Sequence, residues 1–297
     1  MIKKVLLVLV LGFVVTLSAC TGISQSEYDA LMAEKDVLVG EKATLQDELD
    51  SKMVGYKDQS VEAYKFTHSG YVGQVKIVVV DGVVDVEINE AFLPHTLAEV
   101  ELSTLAAPTD WNETNTLIVG SSSYALYISY NDSVFKAVKT EAGLLVYTAT
   151  DELGDVKAAA RGVVTNLEMD IIKDDSAMSA YYEALTTGGF KLLKTFGDTT
   201  PIVISEYQFK DGNPNYWKAS ISSLGWQGNI DLIETFLEEN GAAFDSLEFT
   251  KVLMTIDGLE DNYWQIGDIV TGATNSDFQD YFQLAQAAFG QLETQVK

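Results

Sequence analysis

The sequence predicts an α+β protein: an antiparallel sheet with a few packed helices, preceded by a helical spacer and a lipoprotein signal peptide. Three observations carry this. Runs rich in β-branched residues, separated by turn residues, recur between positions 71 and 209. Two stretches, 230–240 and 277–297, have apolar residues at helical spacing. The first twenty residues have the layout of an export signal. The chain has 297 residues, 47% of them hydrophobic and 10% aromatic, enough for one large domain or two small ones with a real core.

At the N-terminus, Lys3 and Lys4 precede an apolar run over 5–17. That run is too short and too close to the terminus for a comfortable spanning helix, and it reads as the charged and apolar regions of a secretory signal. It ends Leu17-Ser18-Ala19-Cys20, and Cys20 is the one cysteine of the chain. The segment resembles the bacterial lipobox, which implies cleavage after Ala19 and lipidation of Cys20. The alternative is an uncleaved anchor with an incidental cysteine. Residues 1–19 are thus expected to be a signal peptide, 20–58 a lipidated cysteine and spacer, and 59–297 the main domain.

In the spacer, Leu31, Leu38 and Leu45 recur every seventh residue, but Lys35 and Lys42 stand where a second apolar row belongs. A solvated helical spacer is therefore favoured over an oligomerising coiled coil. At the helical rise it would lift the domain about 45 Å from a membrane.

Further along, 71–80 and 83–88 read as strands, and Asp81-Gly82 between them is a strong hairpin signal. Other strand-like runs are 116–119, 124–130, 143–150 and 202–209, while 249–256 reads as strand or helix. One helix is expected over 230–240, capped by Asn229 and ended at Gly241; another over 178–187, ended at Gly188-Gly189. A terminal helix is expected from Asp277, with Ser276 as N-cap and Gln279 completing a capping box. Its apolar stripe is Phe278, Tyr281, Phe282, Ala285, Ala288, Phe289 and Leu292.

Charge and composition exclude several function classes. Forty-four acids against nineteen bases give a formal net charge of -25, which argues against nucleic acid. Such a body is also repelled by anionic lipid, so only acyl chains on Cys20 should touch a membrane. The single arginine, Arg161, leaves little scope for guanidinium clamps on phosphate. One cysteine excludes an intrachain disulfide, a cysteine-rich zinc site and an iron–sulfur cluster. His68 and His95 lack any metal-site pattern. Asp174-Asp175, and Asp257 with Glu260-Asp261, lack the spacing of a calcium loop and read as solvated acids. Gly120-Ser121-Ser122-Ser123 reads as a turn.

The most informative segment is Asp268-Ile269-Val270-Thr271-Gly272-Ala273-Thr274-Asn275-Ser276. It resembles the FMN-binding domain family, whose members include subunits of ion-pumping respiratory complexes and flavinylated surface lipoproteins. Their pattern is Asp-x-x-(Ser/Thr)-Gly-Ala-(Ser/Thr). The resemblance implies that Thr274 carries covalent FMN through a phosphoester bond, installed from FAD by a separate flavin transferase. It places Asp268, Thr271, Gly272 and Ala273 in the motif. The competing reading is an ordinary glycine turn leading into a capped helix.

Several residue roles accompany the resemblance. Gly272 would let another enzyme's active site approach the backbone, and Ala273 keeps its neighbour small. A threonine hydroxyl is a poor nucleophile, so its activation falls to the transferase and its metal. The phosphate would sit ahead of the terminal helix, where the N–H groups of Asp277, Phe278 and Gln279 favour an anion. Asp268 would hold a metal or shape the turn. Among Tyr216, Trp217, Trp226, Tyr263 and Trp264, the best candidates to stack on the flavin are Trp226 and Trp264.

The span from hairpin to motif exceeds one standard module of that family, so an insertion or a degenerate copy is expected around 109–204. No second motif occurs, and one FMN is expected. The resulting expectation is a lipid-anchored, extracytoplasmic flavoprotein at the cell membrane, an electron carrier more than a stand-alone enzyme. It would pass electrons from a membrane donor, a dehydrogenase or the quinol pool, to an external or protein acceptor. The alternatives are a non-redox ligand-binding or adhesive surface lipoprotein, and a subunit of an ion-translocating complex, against which the short apolar run argues.

Overall fold

The computed structural model describes residues 54–67, 69–100, 111–157, 165–205, 207–213, 216–243, 249–256, 258–267 and 269–296, with the helical positions 32, 35, 37 and 38. The signal segment 1–19, Cys20, most of the spacer, His68, Arg161 and the motif acid Asp268 lie outside the described residues. The chain divides into two compact units, residues 1–55 with 294–297, and residues 56–293. The strands β1 (Val54–Tyr56) and β15 (Thr294–Val296) form a short two-stranded pairing.

The second unit is α+β. It opens on an antiparallel meander of β2 (Gln59–Phe66), β3 (Val72–Val80) and β4 (Val83–Ala91). Asp81 and Gly82 both take positive φ, 52° and 76°, the two-residue turn whose twist matches the strands it joins. The hairpin expected at this dipeptide is present. Val75, Ile77, Val79, Val86 and Ile88 point from this sheet into a core completed by α4 (Gly225–Asn240) and α5 (Phe278–Phe289).

Between the meander and those helices the chain builds a second core. It runs through α1 (Pro94–Leu97), β5 (Thr116–Val119), β6 (Ser122–Ala125), β7 (Tyr127–Tyr130), β8 (Ser133–Lys139) and β9 (Leu145–Ala149). The helices α2 (Leu167–Ile171) and α3 (Asp175–Thr187) and the strands β10 (Phe190–Leu193) and β11 (Ile202–Val203) follow. One antiparallel sheet has the order β11-β10-β7-β8-β9, and Ile128, Tyr147, Phe190, Leu192 and Tyr181 centre the core against it. His95 on α1 meets Glu168 of α2 at 2.9 Å.

Several expected elements change. The run 124–130 divides at Leu126, whose carbonyl accepts from Ala137 N–H while its own N–H donates to Asn115. Among the described residues of 202–209, Ile202 and Val203 form the strand. The ambiguous 249–256 is a strand, β12 (Phe249–Ile256), paired along its whole length with β13 (Leu259–Ile266). Asp174, read as a solvated acid, caps α3 by accepting from Ala177 N–H. Asn229 is not the N-cap of its helix: α4 begins at Gly225 and buries Asn229 within it. Ser276 does not cap α5, because Asp277 occupies that position without a side-chain cap bond. The Asp277 carboxylate instead accepts the hydroxyls of Ser69 (2.5 Å) and Ser276 (3.2 Å), which turns Ser276 away from the helix end.

The outer edge of β4 is closed by α4. Glu234 accepts the Ile88 N–H at 2.6 Å and Glu238 accepts the Val86 N–H at 3.2 Å. Burial raises the Glu234 pKa to about 7; the Ile88 N–H opposes the rise, and Asp231 and Glu238 add to it. A carboxyl with a raised folded pKa holds its proton longer in the native state. Its contribution to stability is full below the unfolded value and is lost as pH rises towards 7. Glu234→Gln keeps an acceptor for Ile88 and removes the charge. After discount for its solvent-facing part it should gain about 1 kcal/mol at pH 8. Thermal unfolding should show a rise of about 2–4 °C over the native chain at pH 8, shrinking towards pH 5.

Candidate functional site

The motif is the last strand and exit turn of the small sheet β12-β13-β14, where β14 is Ile269–Val270. Trp264 of β13 anchors it. The Thr271 N–H and hydroxyl both donate to the Trp264 carbonyl at 2.9 Å, and the Trp264 N–H donates to the Ala273 carbonyl at 2.8 Å. The Trp264 indole N–H donates to the Asn275 carbonyl at 2.6 Å. One indole face stacks on Phe278 at 5.0 Å and 9°, and the Lys251 ammonium lies 4.6 Å from the ring centroid. Trp264, one of the two rings expected to stack on a flavin, thus has one face packed against the start of α5.

Gly272 has φ 83°, and a Cβ there would lie 3.2 Å from both terminal carbons of Leu232 on α4. The space its missing side chain leaves is filled from inside the protein, not kept open for an approaching enzyme. Ala273 is wholly buried in the first core. Thr274 is half-buried.

The Asn229 carboxamide reaches the loop from α4. Its oxygen accepts the N–H groups of Thr274 (2.6 Å) and Asn275 (3.1 Å) and lies 3.3 Å from the Thr274 hydroxyl. Its nitrogen donates to the Gly225 carbonyl at 2.6 Å. Lys251 donates to the Thr274 carbonyl at 3.3 Å, which puts an ammonium beside the loop. The buried Asn275 Oδ1 has no hydrogen-bond partner. Thr271, Ala273, Thr274 and Trp264 are therefore tied together around Gly272, Ser276 bonds to Asp277, and Trp226, in the same core as Ala273, lines a cleft.

That cleft, ≈ 530 Å³, opens where 210–213 and 216–219 meet the first turn of α4, and Tyr216, Trp217, Trp226 and Gly228 line it. Gln227 and Gly228 of its wall directly precede Asn229. Trp226 is 3% exposed and Trp217 45%, so Trp217 is the more accessible ring. Lys210, which also lines the cleft, forms a close ion pair with Glu90, both buried. The ammonium also lies 3.5 Å from the centroid of the Tyr71 ring and 4.6 Å from that of Tyr216. The Tyr281 hydroxyl donates to Glu90 Oε2 at 2.9 Å and accepts the Trp226 indole N–H at 3.3 Å. Burial, then the Tyr216 hydroxyl, push the Tyr71 phenol up to about 12. Burial and the Glu90 charge raise Tyr281 far further, so both phenols stay protonated and able to donate.

Sequence reasoning missed Asn229, Lys251 and the Glu90–Lys210 pair. One signal was present: in β4, Glu90 follows Val86 and Ile88 at every second residue, which places an acid on the core-facing side. Among the described residues no group of three or more His, Cys, Asp or Glu is placed to hold a metal ion.

Two substitutions test this geometry. Gly272→Ala forces a β-carbon into left-handed backbone against Leu232, and should cost about 1–2 kcal/mol, a fall of roughly 2–8 °C in thermal unfolding. Lys210→Met leaves Glu90 buried without its cation and should cost about 3–5 kcal/mol in denaturant unfolding. Adding Glu90→Gln to Lys210→Met should recover at least half of that loss. Neither a known protein family, nor a curated protein, nor a solved structure matches this chain.

Proposed function

We propose that the chain is a carrier of one covalent FMN, attached by a phosphoester to Thr274, and passes electrons between a membrane donor and an external or protein acceptor. The observation that carries this reading is the fixed presentation of the Thr274 hydroxyl. Thr274 is half-buried on a loop held by Trp264 and Asn229, with the Lys251 ammonium on its carbonyl. The residues fit the group. Lys251 offers a cation to the phosphate in a chain with a single arginine. The cleft of ≈ 530 Å³ is within the size range of ligand sites and carries aromatic walls at Tyr216 and Trp217.

FMN, when bound, supplies the electron-accepting and electron-donating chemistry. The chain holds its phosphate at Thr274, offers aromatic surface to its ring, and keeps part of it from water. A covalent tether suits a site outside the cell, where a dissociable cofactor would be lost. The anchor proposed at Cys20 would hold the domain at the extracytoplasmic face of the membrane. Among the described residues no helix is long and apolar enough to cross a membrane.

Co-expression with a flavin transferase tests the reading. After denaturation the chain should fluoresce in-gel and gain the mass of one FMN, and Thr274→Ala should abolish both. A native chain free of covalent flavin under those conditions would overturn the carrier and leave the aromatic cleft as the pocket of a ligand-binding lipoprotein.

A further inference from the structure

We infer that Asn229 is the positioning residue that presents the Thr274 hydroxyl for phosphoester formation. The inference rests on the FMN reading and adds the residue that makes Thr274 the acceptor.

Asn229 is 0% exposed and lies in the second turn of α4. A buried polar side chain inside a helix must be satisfied, and its partners show its use. Its nitrogen is committed to the Gly225 carbonyl at 2.6 Å. That donation fixes the amide orientation, since the oxygen could not serve there. The oxygen must then face the motif, where three donors converge on it. The two N–H groups, at 2.6 and 3.1 Å, hold the backbone of Thr274 and Asn275, while the hydroxyl at 3.3 Å is the weakest of the three.

This arrangement suits a group that is to be esterified. The hydroxyl proton is directed inward, leaving the Oγ1 lone pairs free to face an incoming phosphorus. In the transfer, Oγ1 bonds to the flavin-side phosphorus of FAD. The phosphoanhydride bond to AMP breaks, AMP leaves with that electron pair, and the hydroxyl proton passes to a base on the transferase or to solvent. A carboxamide oxygen is too weak a base to take the proton, so Asn229 orients it and does no more. Losing the hydroxyl donor leaves the two N–H bonds intact. The loop therefore keeps one geometry before and after attachment. An aspartate would serve as acceptor but would lose the donation to Gly225 and place a negative charge beside the arriving phosphate.

The test uses the full chain with a flavin transferase, FAD and magnesium, following covalent FMN by intact mass over time. Amide hydrogen exchange of residues 271–276 is measured in parallel, without flavin. Asn229→Ala should slow attachment at least tenfold and speed exchange at Thr274 and Asn275 at least tenfold, with the circular dichroism of the native chain retained. If Asn229→Ala does not fold, Asn229→Asp decides: its attachment rate relative to the native chain should fall as pH rises through the titration of the new carboxyl. An Asn229→Ala chain that is folded, exchanges as the native chain does and is flavinylated at the native rate overturns the assignment. So does a pH-independent ratio for Asn229→Asp. A native chain that takes no flavin at all is a different failure, that of the FMN reading.

Discussion

A carboxylate with no exposed surface survives in a protein only if its charge is met by a partner. Glu90, at the end of β4, is that carboxylate, and its partners come from distant parts of the chain. Lys210 arrives from the cleft loop and Tyr281 from α5, and Trp226 of α4 completes the chain of contacts through the Tyr281 hydroxyl. Tyr71 and Tyr216 offer their ring faces to the ammonium. The pair therefore fixes where the sheet, both major helices and the cleft loop meet. Tyr216 packs against both hydrophobic cores, so the same junction ties the two halves of the unit together.

Helix α4 carries this order from the sheet to the motif, because its faces are assigned to different tasks. Ile230, Ile233 and Leu237 fill the first core. Glu234 and Glu238 reach the backbone of β4, and Asn229 and Leu232 meet the motif loop. A shift of α4 by one turn would break all of these at once. The rigidity of Thr274 is thus borrowed from a helix remote in sequence, and the motif needs few stabilising contacts of its own beyond those of Trp264.

The features legible in the sequence were those written locally. Asp81-Gly82 selects its turn because only a two-residue turn with positive φ matches the twist of the flanking strands. The apolar stripe of α5 follows the helical period, and Phe278, Tyr281, Phe282, Ala285 and Ala288 are all buried. The features that were not legible depend on contacts far along the chain. Phe249–Ile256 becomes a strand because β13 supplies a full-length partner, which periodicity cannot reveal. Asn229 looks like an N-cap because an asparagine before an apolar run is the usual signature of one. The helix nonetheless extends back to Gly225 across Gly228, and a tertiary contact overrides the local signal. For Gly272, the sequence showed that the position must be small; only the packing showed that Leu232 is the reason.

The closure of the first sheet bears on how copies of this chain meet one another. On the β4 side, α4 carboxylates take the outward N–H groups. On the β2 side the chain after α5 returns: Gln291 donates to the Glu62 carbonyl, and Glu293 exchanges hydrogen bonds with Gln59. Some of the outward backbone groups on each margin are thus taken before a second molecule could add a strand there. A protein with this much β-structure would otherwise invite edge-to-edge aggregation wherever it is concentrated. The surplus of negative charge over the whole chain adds repulsion between neighbouring copies.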